Sequence, residues 1–585
     1  MNFEHNPERD AYLETLGKVV LNACPGSGKT TTVAYKLTQM TKNWQQTYGK
    51  FIGVACLSFT NVAKDQINEK YSQFSGAPIS FPHLVSTLDS FINQYITLPF
   101  YYLFKGGSAT RPTILENTQF MDEWNFPHTI SRPGNKGQPK KVFLQYSYPP
   151  STINTNLDGT FLYKTAKPKL EGSQLATFCQ YCQEIKRIQY SKGLLKTTDS
   201  AVVALQLLEE YPIIASMLAQ RFPYIIIDEA QDTSEIQYAI IDRLISNGLQ
   251  NVDLVGDPYQ SLFEWREARP DMFWQRYHSD EWQSLKLNDC RRSVQNIVDC
   301  YSLLRRASDT QIKSTRNRDT QEPVTVLLYD DPTFLLDTYS ELSNSYQDRC
   351  VLVRGTTHLE AFKAKTINES MWKIKSDLPH HLILGSFELQ NGHVRDAVKR
   401  IRRCLPSILE PDSQVKRQNE LLDAIKADTL WNARIMRLLC TIPSLDTPVS
   451  EWTALAQSVT QSCLMLENKP NFELKLGAMK PKHKLHIREI YSDAPNSNFV
   501  TTIHQAKGKS FDSVMLVLSK NNQGQSICLG NIAKPTGIPD EKQRLIYVAM
   551  SRPRYQLAVA IPKETRCTHE ILQVTFGPKI IVHDL

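Results

Sequence analysis

Long apolar runs are missing from this 585-residue sequence, and no segment approaches the roughly 20 residues that a membrane span needs. The first ten residues, MNFEHNPERD, lack the basic and then apolar pattern of a secretory signal. Internal repeats and low-complexity tracts are also missing. These absences argue against a membrane-spanning or repetitive protein, and we expect a cytoplasmic protein of about three to four globular domains.

Cysteine is thinly spread, with twelve scattered residues in the whole chain. That distribution suits a reducing compartment. Cys179 and Cys182 have the spacing of metal ligands, but no second close pair and no nearby histidine completes a tetrahedral set. Two cysteines carried on one helix are the favoured interpretation, and a metal site is the alternative.

Charge is only mildly unbalanced. The net charge of +7, with 41% hydrophobic and 22% charged residues, is ordinary for a globular protein. It permits binding to nucleic acid without establishing it. The basic stretch VKRIRR at 398–403 is read first as a solvated helix face, and a polyanion site is its competitor.

A glycine-rich segment near the N-terminus, ACPGSGKT, lies between an apolar strand and a helix. This context is typical of a phosphate-binding loop. Its glycines let the backbone wrap a phosphate, and the following helix presents free N–H groups to the anion. Lys29 is expected to reach the β- and γ-phosphates, and Thr30 to bind Mg²⁺. The nucleotide-binding candidates in this segment are Ala23, Pro25, Gly26, Ser27, Gly28, Lys29, Thr30 and Thr31.

A second segment, IIIDEAQD at 225–232, supplies the acids that such a loop needs. A carboxylate at a strand end can hold Mg²⁺, and the next carboxylate can orient and deprotonate a water molecule. We assign Asp228 to the metal and Glu229 to the general base. Together with the loop, they predict a nucleoside triphosphate hydrolase that uses ATP and Mg²⁺.

Seven segments occur in a fixed order along the chain. They are SFTN (58–61), STLDSF (86–91), DEAQD (228–232), VGDPYQSLFEWR (255–266), RRSVQNI (291–297), TIHQAKG (502–508) and RLIYVAMSRPR (544–554). Together they span nearly the whole chain, and they make the sequence similar to the UvrD/Rep-type superfamily 1A DNA helicases.

This resemblance implies roles for further residues. Gln260 is expected to sense the γ-phosphate, and Arg292 and Arg552 to act as arginine fingers across a domain cleft. Stacking on unpaired bases, which is worth about 1–3 kcal/mol per base, is implied for Trp265, Phe59 and Phe263. The remaining DNA-binding candidates are Asn61, Thr87, Thr502 and His504, and for each of these a purely structural role is the alternative.

Three positions depart from the family pattern, and all concern the base and sugar of the nucleotide. Arg9 stands where the family has a glutamine, and Arg291 stands where it has a stacking aromatic. Gly508, a nucleotide-binding candidate, is followed by lysine and serine instead of the usual Leu-Glu. We expect Arg291 to stack on the base and base selectivity to be loosened, with a shifted alignment as the alternative. Comparing hydrolysis of ATP, GTP and CTP distinguishes the two.

The resemblance implies an α/β fold with two RecA-like P-loop domains, each interrupted by a mainly helical insertion. Asp228 follows Lys29 only after about 200 residues, more than a minimal nucleotide-binding core needs, which places an insertion between them. We predict the first domain at 1–95 and 200–282, its insertion at 96–199, the second domain at 283–384 and 497–585, and its insertion at 385–496.

By this resemblance the chain is expected to be an ATP-dependent 3′–5′ helicase on single-stranded or tailed double-stranded DNA. About 30 residues follow Arg552, too few for a fused nuclease domain. Compact helicases of this kind resemble the helicase subunit of Gabija-type antiphage systems, which implies a separate OLD/TOPRIM-type nuclease partner in defence, with DNA repair as the other setting.

Two other functions compete with this one. A sensor ATPase that licenses a partner nuclease with little unwinding is the rival, and strand displacement separates it from a helicase. A P-loop ATPase that does not bind nucleic acid is less favoured, because the segments at 58–61, 255–266 and 502–508 have no use there. The oligomeric state is left open.

Overall fold

The computed structural model describes most of the chain. The described residues are 3–104, 107, 111–115, 118–133, 139–164, 166–262, 268–316, 322–330, 333–355, 378–390, 394–410, 415–466, 472, 486–488, 500–520, 526–563, 568–577 and 580–585. They fall into two compact units, one comprising Met1–Arg354 with Thr502–Leu585 and the other Gly355–Thr501.

The strands of the described residues are numbered in chain order. They are β1 (Lys18–Ala23), β2 (Val54–Ser58), β3 (Leu84–Thr87), β4 (Thr113–Ile114), β5 (Thr129–Pro133), β6 (Pro139–Phe143), β7 (Ile153–Thr155), β8 (Phe161–Tyr163), β9 (Leu194–Leu195), β10 (Tyr224–Asp228), β11 (Asn251–Gly256), β12 (Gln283–Leu287), β13 (Asp289–Cys290), β14 (Lys313–Ser314), β15 (Val324–Tyr329), β16 (Arg349–Val353), β17 (Val500–Thr502), β18 (Phe511–Val517), β19 (Pro553–Pro562) and β20 (Ile580–Asp584).

The helices are numbered in the same way. They are α1 (Pro7–Glu14), α2 (Lys29–Thr41), α3 (Trp44–Tyr48), α4 (Asn61–Ser75), α5 (Leu88–Ile92), α6 (Leu98–Phe100), α7 (Leu144–Ser147), α8 (Gly172–Ser191), α9 (Thr197–Glu210), α10 (Pro212–Arg221), α11 (Glu235–Ser246), α12 (Pro270–Tyr277), α13 (Gln295–Ser302), α14 (Thr333–Leu342), α15 (Leu378–Gln390), α16 (Val394–Leu409), α17 (Val415–Ala427), α18 (Thr429–Thr441), α19 (Val449–Leu464), α20 (Ile503–Ala506), α21 (Glu541–Met550) and α22 (His569–Phe576).

The first sheet holds six strands in the order β12-β1-β11-β10-β2-β3, and its neighbouring strands run parallel. Helices cover both of its faces, so successive residues of one strand enter two different cores. Ile225 and Ile227 pack on one side, whereas Tyr224 and Ile226 pack on the other. This burial on both faces explains why β10 is a continuous apolar run rather than an alternating one.

Between β3 and β10 the chain leaves this sheet. The excursion contains three small two-stranded sheets, β4-β9, β5-β6 and β7-β8, together with the long helix α8. Part of it has a separate small core that includes Phe126, Leu144, Phe178 and Tyr181. Cys179 and Cys182 both lie on α8, and no cluster of three metal-ligating side chains occurs within the part of the chain that the structure describes.

The second large sheet includes five neighbouring strands in the order β16-β18-β19-β15-β20, and these pairs are also parallel. Its core takes in four residues of the first sheet's half of the chain, namely Cys24, Tyr259, Leu262 and Trp274. The two α/β halves therefore share apolar packing. The expectation of a mixed α/β fold with parallel sheets is confirmed, whereas the predicted domain and insertion limits stay predictions.

The second unit consists of α15 to α19 around a core that includes Leu382, Ile401, Leu438 and Trp452. The basic stretch at 398–403 lies on α16. One of its arginines, Arg400, donates to both carboxylate oxygens of Glu388 at 3.0 Å. Part of this positive charge is therefore neutralised within the unit.

Among the described residues, no single helix is long and apolar enough to cross a membrane. The bent pair formed by α9 and α10 passes that test by length and composition only. Many residues of both helices are buried in one core of the first sheet.

Candidate nucleotide-binding and catalytic site

The carboxyl ends of the first sheet bring the predicted segments to one edge. Asp228 is in register with Ser58 on one side and Val255 on the other, and Ala23 is in register with Leu287. Because parallel strands end at the same edge, the loop after Ala23, the acids at the end of β10 and the segment after Ser58 lie side by side.

The phosphate-binding loop needs glycine at two positions. Gly26 and Gly28 have φ angles of +76° and +81°, which side chains with a Cβ rarely adopt. A Cβ on Gly26 would lie 2.4 Å from the Cβ of Arg292, and one on Gly28 would lie 2.4 Å from Nη2 of Arg9. Both positions are therefore restricted by conformation and by close neighbours.

The loop also presents free hydrogen-bonding groups. Gly28 is the N-cap residue of α2, and no side chain at this position bonds to the first N–H groups of the helix. These groups are therefore available to an anion. Within the described residues, the buried hydroxyl of Ser27 has no hydrogen-bond partner. An orphaned hydroxyl and unpaired amides at a helix N-terminus fit a phosphate group.

The acids of β10 meet the loop directly. Nζ of Lys29 donates to Oε1 of Glu229 at 2.8 Å and lies 3.8 Å from Oδ1 of Asp228. Oγ1 of Thr30 donates to Oδ2 of Asp228 at 3.3 Å. Gln231 holds the other oxygen of Glu229 at 2.6 Å. The structure thus brings the predicted lysine, threonine and two carboxylates together.

Burial and neighbouring charges shift the pKa values of the two carboxylates in opposite directions. Burial raises the pKa of Asp228 to about 6, although Lys29 opposes the shift. Burial also acts to raise the pKa of Glu229, but Lys29 and Lys507 outweigh it and lower that pKa to about 2. Glu229 is therefore ionised at neutral pH and is able to accept a proton.

The oxygen atoms of Thr30 and Asp228 suit a small divalent cation. Mg²⁺ prefers oxygen ligands and usually keeps several waters, so one carboxylate and one hydroxyl are enough protein ligands. The 3.3 Å contact between these two groups places both donors on one side of the loop. Thr30 and Asp228 therefore fit the predicted metal site.

Arginines of the second α/β half approach from the other side. Nη2 of Arg552 donates to Oε1 of Gln260 at 2.6 Å, and Gln260 in turn donates to Asp257 at 2.7 Å. Arg292 donates to the carbonyl of Ser551 at 2.9 Å. The spacing of Gln260, Arg292 and Arg552 in the sequence does not indicate that they lie close together. Their place in the site was implied by the family resemblance.

Both arginines are buried, and burial disfavours their positive charge. Burial, reinforced by the neighbouring Arg292, lowers the pKa of Arg552 to about 9. Burial also lowers the pKa of Arg292. Arg552 therefore stays charged at neutral pH, and an anion beside the two arginines is electrostatically favourable.

A cavity of about 590 Å³ connects these groups. It is lined by most of the predicted nucleotide-site residues, which are Gly26, Ser27, Gly28, Lys29, Thr30, Thr31, Glu229, Gln260, Arg291, Arg292, Arg552 and Gly508, and by the DNA-binding candidate His504. Ala23, at the end of β1, Pro25 and Asp228 lie in the adjoining elements and do not line it.

Four basic residues of the lining escaped sequence-based prediction: Lys507, Lys509, Arg316 and Arg554. Lys507 pairs with the buried Asp232. Its position inside the TIHQAKG segment is a sequence signal that could have identified it as a site residue. Arg316 donates to Tyr555 and to the carbonyl of Arg291. It belongs to no motif, so only the fold reveals it.

The two arginines at the departures from the family pattern are both engaged. Arg9 donates to the carbonyl of Ser27 at 2.9 Å and to that of Glu4 at 2.7 Å. Arg291 donates to a carboxylate oxygen of Glu4 at 2.8 Å. Stacking of Arg291 on a base, and loosened base selectivity, stay predictions.

The candidate DNA residues occupy strand ends and helix starts. Thr87 caps α5 by accepting from Ser90 at 3.1 Å, and Thr502 caps α20 by accepting from Gln505 at 3.3 Å. Each hydroxyl therefore has a structural use, as the alternative for these residues supposed.

The remaining DNA candidates differ in exposure. Asn61 is exposed at the start of α4, and Phe59 is half-buried just before it. His504 is half-buried beside the cavity, and burial together with Arg354 lowers its pKa. Phe263 and Trp265 lie outside the described residues. A DNA-binding role for all of these residues stays a prediction.

Parallel sheets with a phosphate-binding loop, an acidic strand end and arginines from a second α/β half define a P-loop nucleotide-binding protein. Family comparison makes this class specific. Residues 5–280 match the UvrD/REP helicase N-terminal domain, and residues 466–564 match the UvrD-like helicase C-terminal domain. The chain belongs to the UvrD/Rep-type superfamily 1A helicases.

Several curated proteins are similar to this chain. An ATP-dependent DNA helicase PcrA from Leuconostoc citreum is 22% identical over 425 residues, covering 70% of this chain and 53% of the relative. An ATP-dependent DNA helicase Rep from Buchnera aphidicola subsp. Schizaphis graminum is 22% identical over 635 aligned positions, covering 92% and 90%.

A third relative is similar over a shorter segment. An ATP-dependent helicase/nuclease subunit from Natranaerobius thermophilus is 30% identical over 129 residues, which is 21% of this chain and 10% of the relative. The chain thus spans about half of the PcrA relative and a tenth of the helicase/nuclease relative.

Proposed function

We propose that this chain is an ATP-dependent DNA motor that moves 3′ to 5′ on single-stranded DNA and displaces a paired strand. The observation that carries the proposal is the cavity that Lys29 and Glu229 of the first half share with Arg552 of the second half. In this cavity Arg552 contacts Gln260 of the first half. A site divided between two α/β halves couples hydrolysis to their relative motion, because it is complete only when they are in contact.

In this proposal the loop binds the triphosphate first. The N–H groups at the start of α2 and the Ser27 hydroxyl donate to phosphate oxygens, and Lys29 leaves Glu229 to contact the β- and γ-phosphates. Losing this 2.8 Å contact frees the Glu229 carboxylate to orient a water molecule and accept its proton. Asp228 and Thr30 would hold Mg²⁺, which neutralises charge on the phosphate oxygens.

Arg292 and Arg552 then stabilise the negative charge that develops on the transferred phosphoryl group. An arginine finger is worth about 10³–10⁵ in rate. Gln260 lies between Arg552 and Asp257 and is proposed to report the γ-phosphate to the strand-end residues that contact DNA. Phe59, Asn61, Thr87, Thr502 and His504 are the candidates for that surface.

We further propose that the motor works with a separate nuclease in antiviral defence or DNA repair. The similarity to a protein named as a helicase/nuclease subunit supports such a partnership. A nuclease gene of the OLD/TOPRIM type beside the gene for this chain would favour defence, and its absence would weaken that part of the proposal.

Strand displacement from a duplex with a 3′ single-stranded tail tests the motor function. We expect ATP-dependent displacement by the native chain, none by Lys29→Ala, and none from a duplex with only a 5′ tail. DNA-stimulated hydrolysis without displacement would contradict the motor and favour a sensor ATPase. Hydrolysis that persists in Lys29→Ala would show that the site is assigned wrongly.

A further inference from the structure

The N-terminal segment, residues 3–9, lies against the connection between the two α/β halves. This connection, residues 288–291, follows the last strand of the first sheet, β12, and includes β13. The phosphate-binding loop contacts the same stretch, since the N–H of Arg291 donates to the carbonyl of Gly26 at 2.9 Å. Any contact that the N-terminal segment makes here therefore lies next to the nucleotide site.

Three alternate residues of the segment hold this connection. Oε2 of Glu8 accepts the N–H of Asn288 at 2.6 Å, and Nδ2 of Asn6 donates to Oδ2 of Asp289 at 2.7 Å. The third contact joins Glu4 to Arg291 at 2.8 Å. The segment thus touches successive residues of the connection rather than a single point.

Both ends of the segment are fixed to the first half. Arg9 is 3% exposed and donates to the carbonyl of Ser27 at 2.9 Å. Phe3 stacks on Tyr35 of α2, with ring centroids 3.9 Å apart and an interplanar angle of 2°. These contacts keep Glu4 in place beside the cavity.

Of the three contacts to the connection, the ion pair between Glu4 and Arg291 is the one that an anion can replace. The Glu4 side chain is 69% exposed, whereas Arg291 is 19% exposed and lines the nucleotide cavity. Arg291 donates to the Glu4 carboxylate and thereby lowers its pKa, so the carboxylate is charged at neutral pH. Exposed ion pairs are weak, and a polyphosphate is a stronger partner for a guanidinium.

Glu4 also separates two positive groups. Its carbonyl accepts from Arg9 and its carboxylate accepts from Arg291. Burial lowers the pKa of Arg9 to about 10, and the positive charge of Arg291 contributes to that shift. Removing the Glu4 charge would take away one of the anions beside these guanidiniums and would increase their attraction for a nucleotide.

We propose that Glu4 is an internal competitor of the nucleotide: its carboxylate occupies Arg291 until the anionic substrate displaces it. The N-terminal segment thereby weakens nucleotide binding and makes the release of Arg291 a step of substrate entry. This inference rests on the proposed nucleotide site, and it adds an autoinhibitory contact to that site.

The test is a binding measurement with a fluorescent, non-hydrolysable ATP analogue on the full chain. Glu4→Gln keeps the size of the side chain and removes its charge. We expect the Kd to fall by about two- to five-fold, the range of an exposed ion pair, and the KM for ATP to fall with it while kcat is unchanged. The matched control is Glu14→Gln, an exposed glutamate at the other end of α1, for which no change is expected.

A double variant decides whether the effect passes through Arg291. Arg291→Gln should weaken binding, and adding Glu4→Gln to it should have no further effect. An unchanged or higher Kd in Glu4→Gln, or the same gain in the Arg291→Gln background, would overturn the proposal. Because the readout is binding, it stays measurable whether or not the chain unwinds DNA, so failure of the motor function is seen separately.

Discussion

Gly26 lies at a tight contact between the two halves of the nucleotide site. Its φ of +76° already disfavours any residue with a Cβ, and that Cβ would lie 2.4 Å from Arg292 and 3.1 Å from the sulfur of Cys290. Side chains of the second half therefore lie in close contact with Gly26, in addition to the restriction that its backbone conformation imposes. The glycine permits the loop to touch the arginine that is proposed to act on its phosphate.

Replacing Gly26 with alanine should damage both stability and hydrolysis. A left-handed conformation costs alanine about 1–2 kcal/mol, and the clash with Arg292 has to displace a residue of the proposed machinery. We expect kcat to fall by at least about tenfold, since small misplacements of catalytic groups cost that much or more. Steady-state hydrolysis and thermal unfolding measure the two effects.

Gly49 provides a matched control for this substitution. It has a φ of +86°, but nothing lies within 4 Å of the position of its Cβ. Gly49→Ala should also lose stability, because its φ of +86° and ψ of −179° disfavour a residue with a Cβ, while hydrolysis stays near that of the native chain. Equal loss of kcat in both variants would show that crowding at Arg292 is not the reason.

At this scale the sequence predicted that residues of separate contiguous motifs lie close together, while their roles stay predictions. Lys29, Thr30, Asp228 and Glu229 are predictable because a short pattern carries their chemistry, and the structure places them within contact of one another. Arg316 was not predictable. It reaches the cavity through the pairing of distant strands, and no local pattern records that.

Helix α2, which follows the phosphate-binding loop, is anchored by a buried ion pair. Lys36 donates to Asp253 of β11 at 3.0 Å, and these side chains are 1% and 0% exposed. Lys36 also donates to the carbonyl of Thr15 at 2.9 Å and lies 4.1 Å from the ring centroid of Tyr12. The pair therefore links the loop helix to the centre of the sheet.

Lys36→Met should destabilise the chain in a pH-dependent way. Removing one partner of a buried pair costs about 3–5 kcal/mol, because the other charge stays buried. Burial already raises the pKa of Asp253, and Lys36 opposes that shift, so the variant raises it further. Because the pKa of Asp253 is then higher in the folded than in the unfolded state, the folded state binds a proton at a higher pH as the pH is lowered. The loss of stability caused by Lys36→Met should therefore shrink as the pH falls from 8 to 5.

Denaturant unfolding at several pH values measures this loss. Lys18→Met is the control, because its partner Glu281, 3.1 Å away, is 75% exposed, and loss of this pair should cost below about 1 kcal/mol at any of these pH values. A loss in Lys36→Met that does not depend on pH would contradict a buried, titrating Asp253.

The elements themselves were largely predictable, and their ends were less so. The apolar run FIGVACLSF at 51–59 is typical of a buried strand, and the structure has the shorter strand Val54–Ser58. The apolar residues at 198–220 follow a helical period, but the chain forms two helices, α9 and α10, with a break at Tyr211. Pro212 explains the break, because proline is accommodated in the first turn of a helix and not in its interior.

At the scale of the whole molecule, the central feature is one site built from two α/β halves. Arg544 of the second half donates to the carbonyl of Ser261 at 2.8 Å, next to the contact between Arg552 and Gln260. These contacts join residues almost 300 positions apart in the chain. Composition and periodicity contain no information on such pairs, which is why the resemblance was needed to anticipate them.

The spacing between motifs was informative at this scale. The distance from Lys29 to Asp228 predicted an excursion from the first sheet, and the chain does leave it after β3 and return at β10. The resemblance implied a mainly helical insertion, whereas the described residues of the excursion contain three small sheets besides its helices. The stretch has few clear periods, so no signal in the sequence indicated these sheets.

The most direct test of the two-part site is the hydrolysis rate of Arg552→Ala in the presence of single-stranded DNA, with nucleotide binding measured on the same protein. Arg349→Ala, which removes an arginine bonded to Ser340 in the second half, is the control. We expect kcat of Arg552→Ala to fall by about 10³-fold or more, with binding changed by less than about tenfold. Hydrolysis near the native rate in Arg552→Ala would contradict a site that needs both halves.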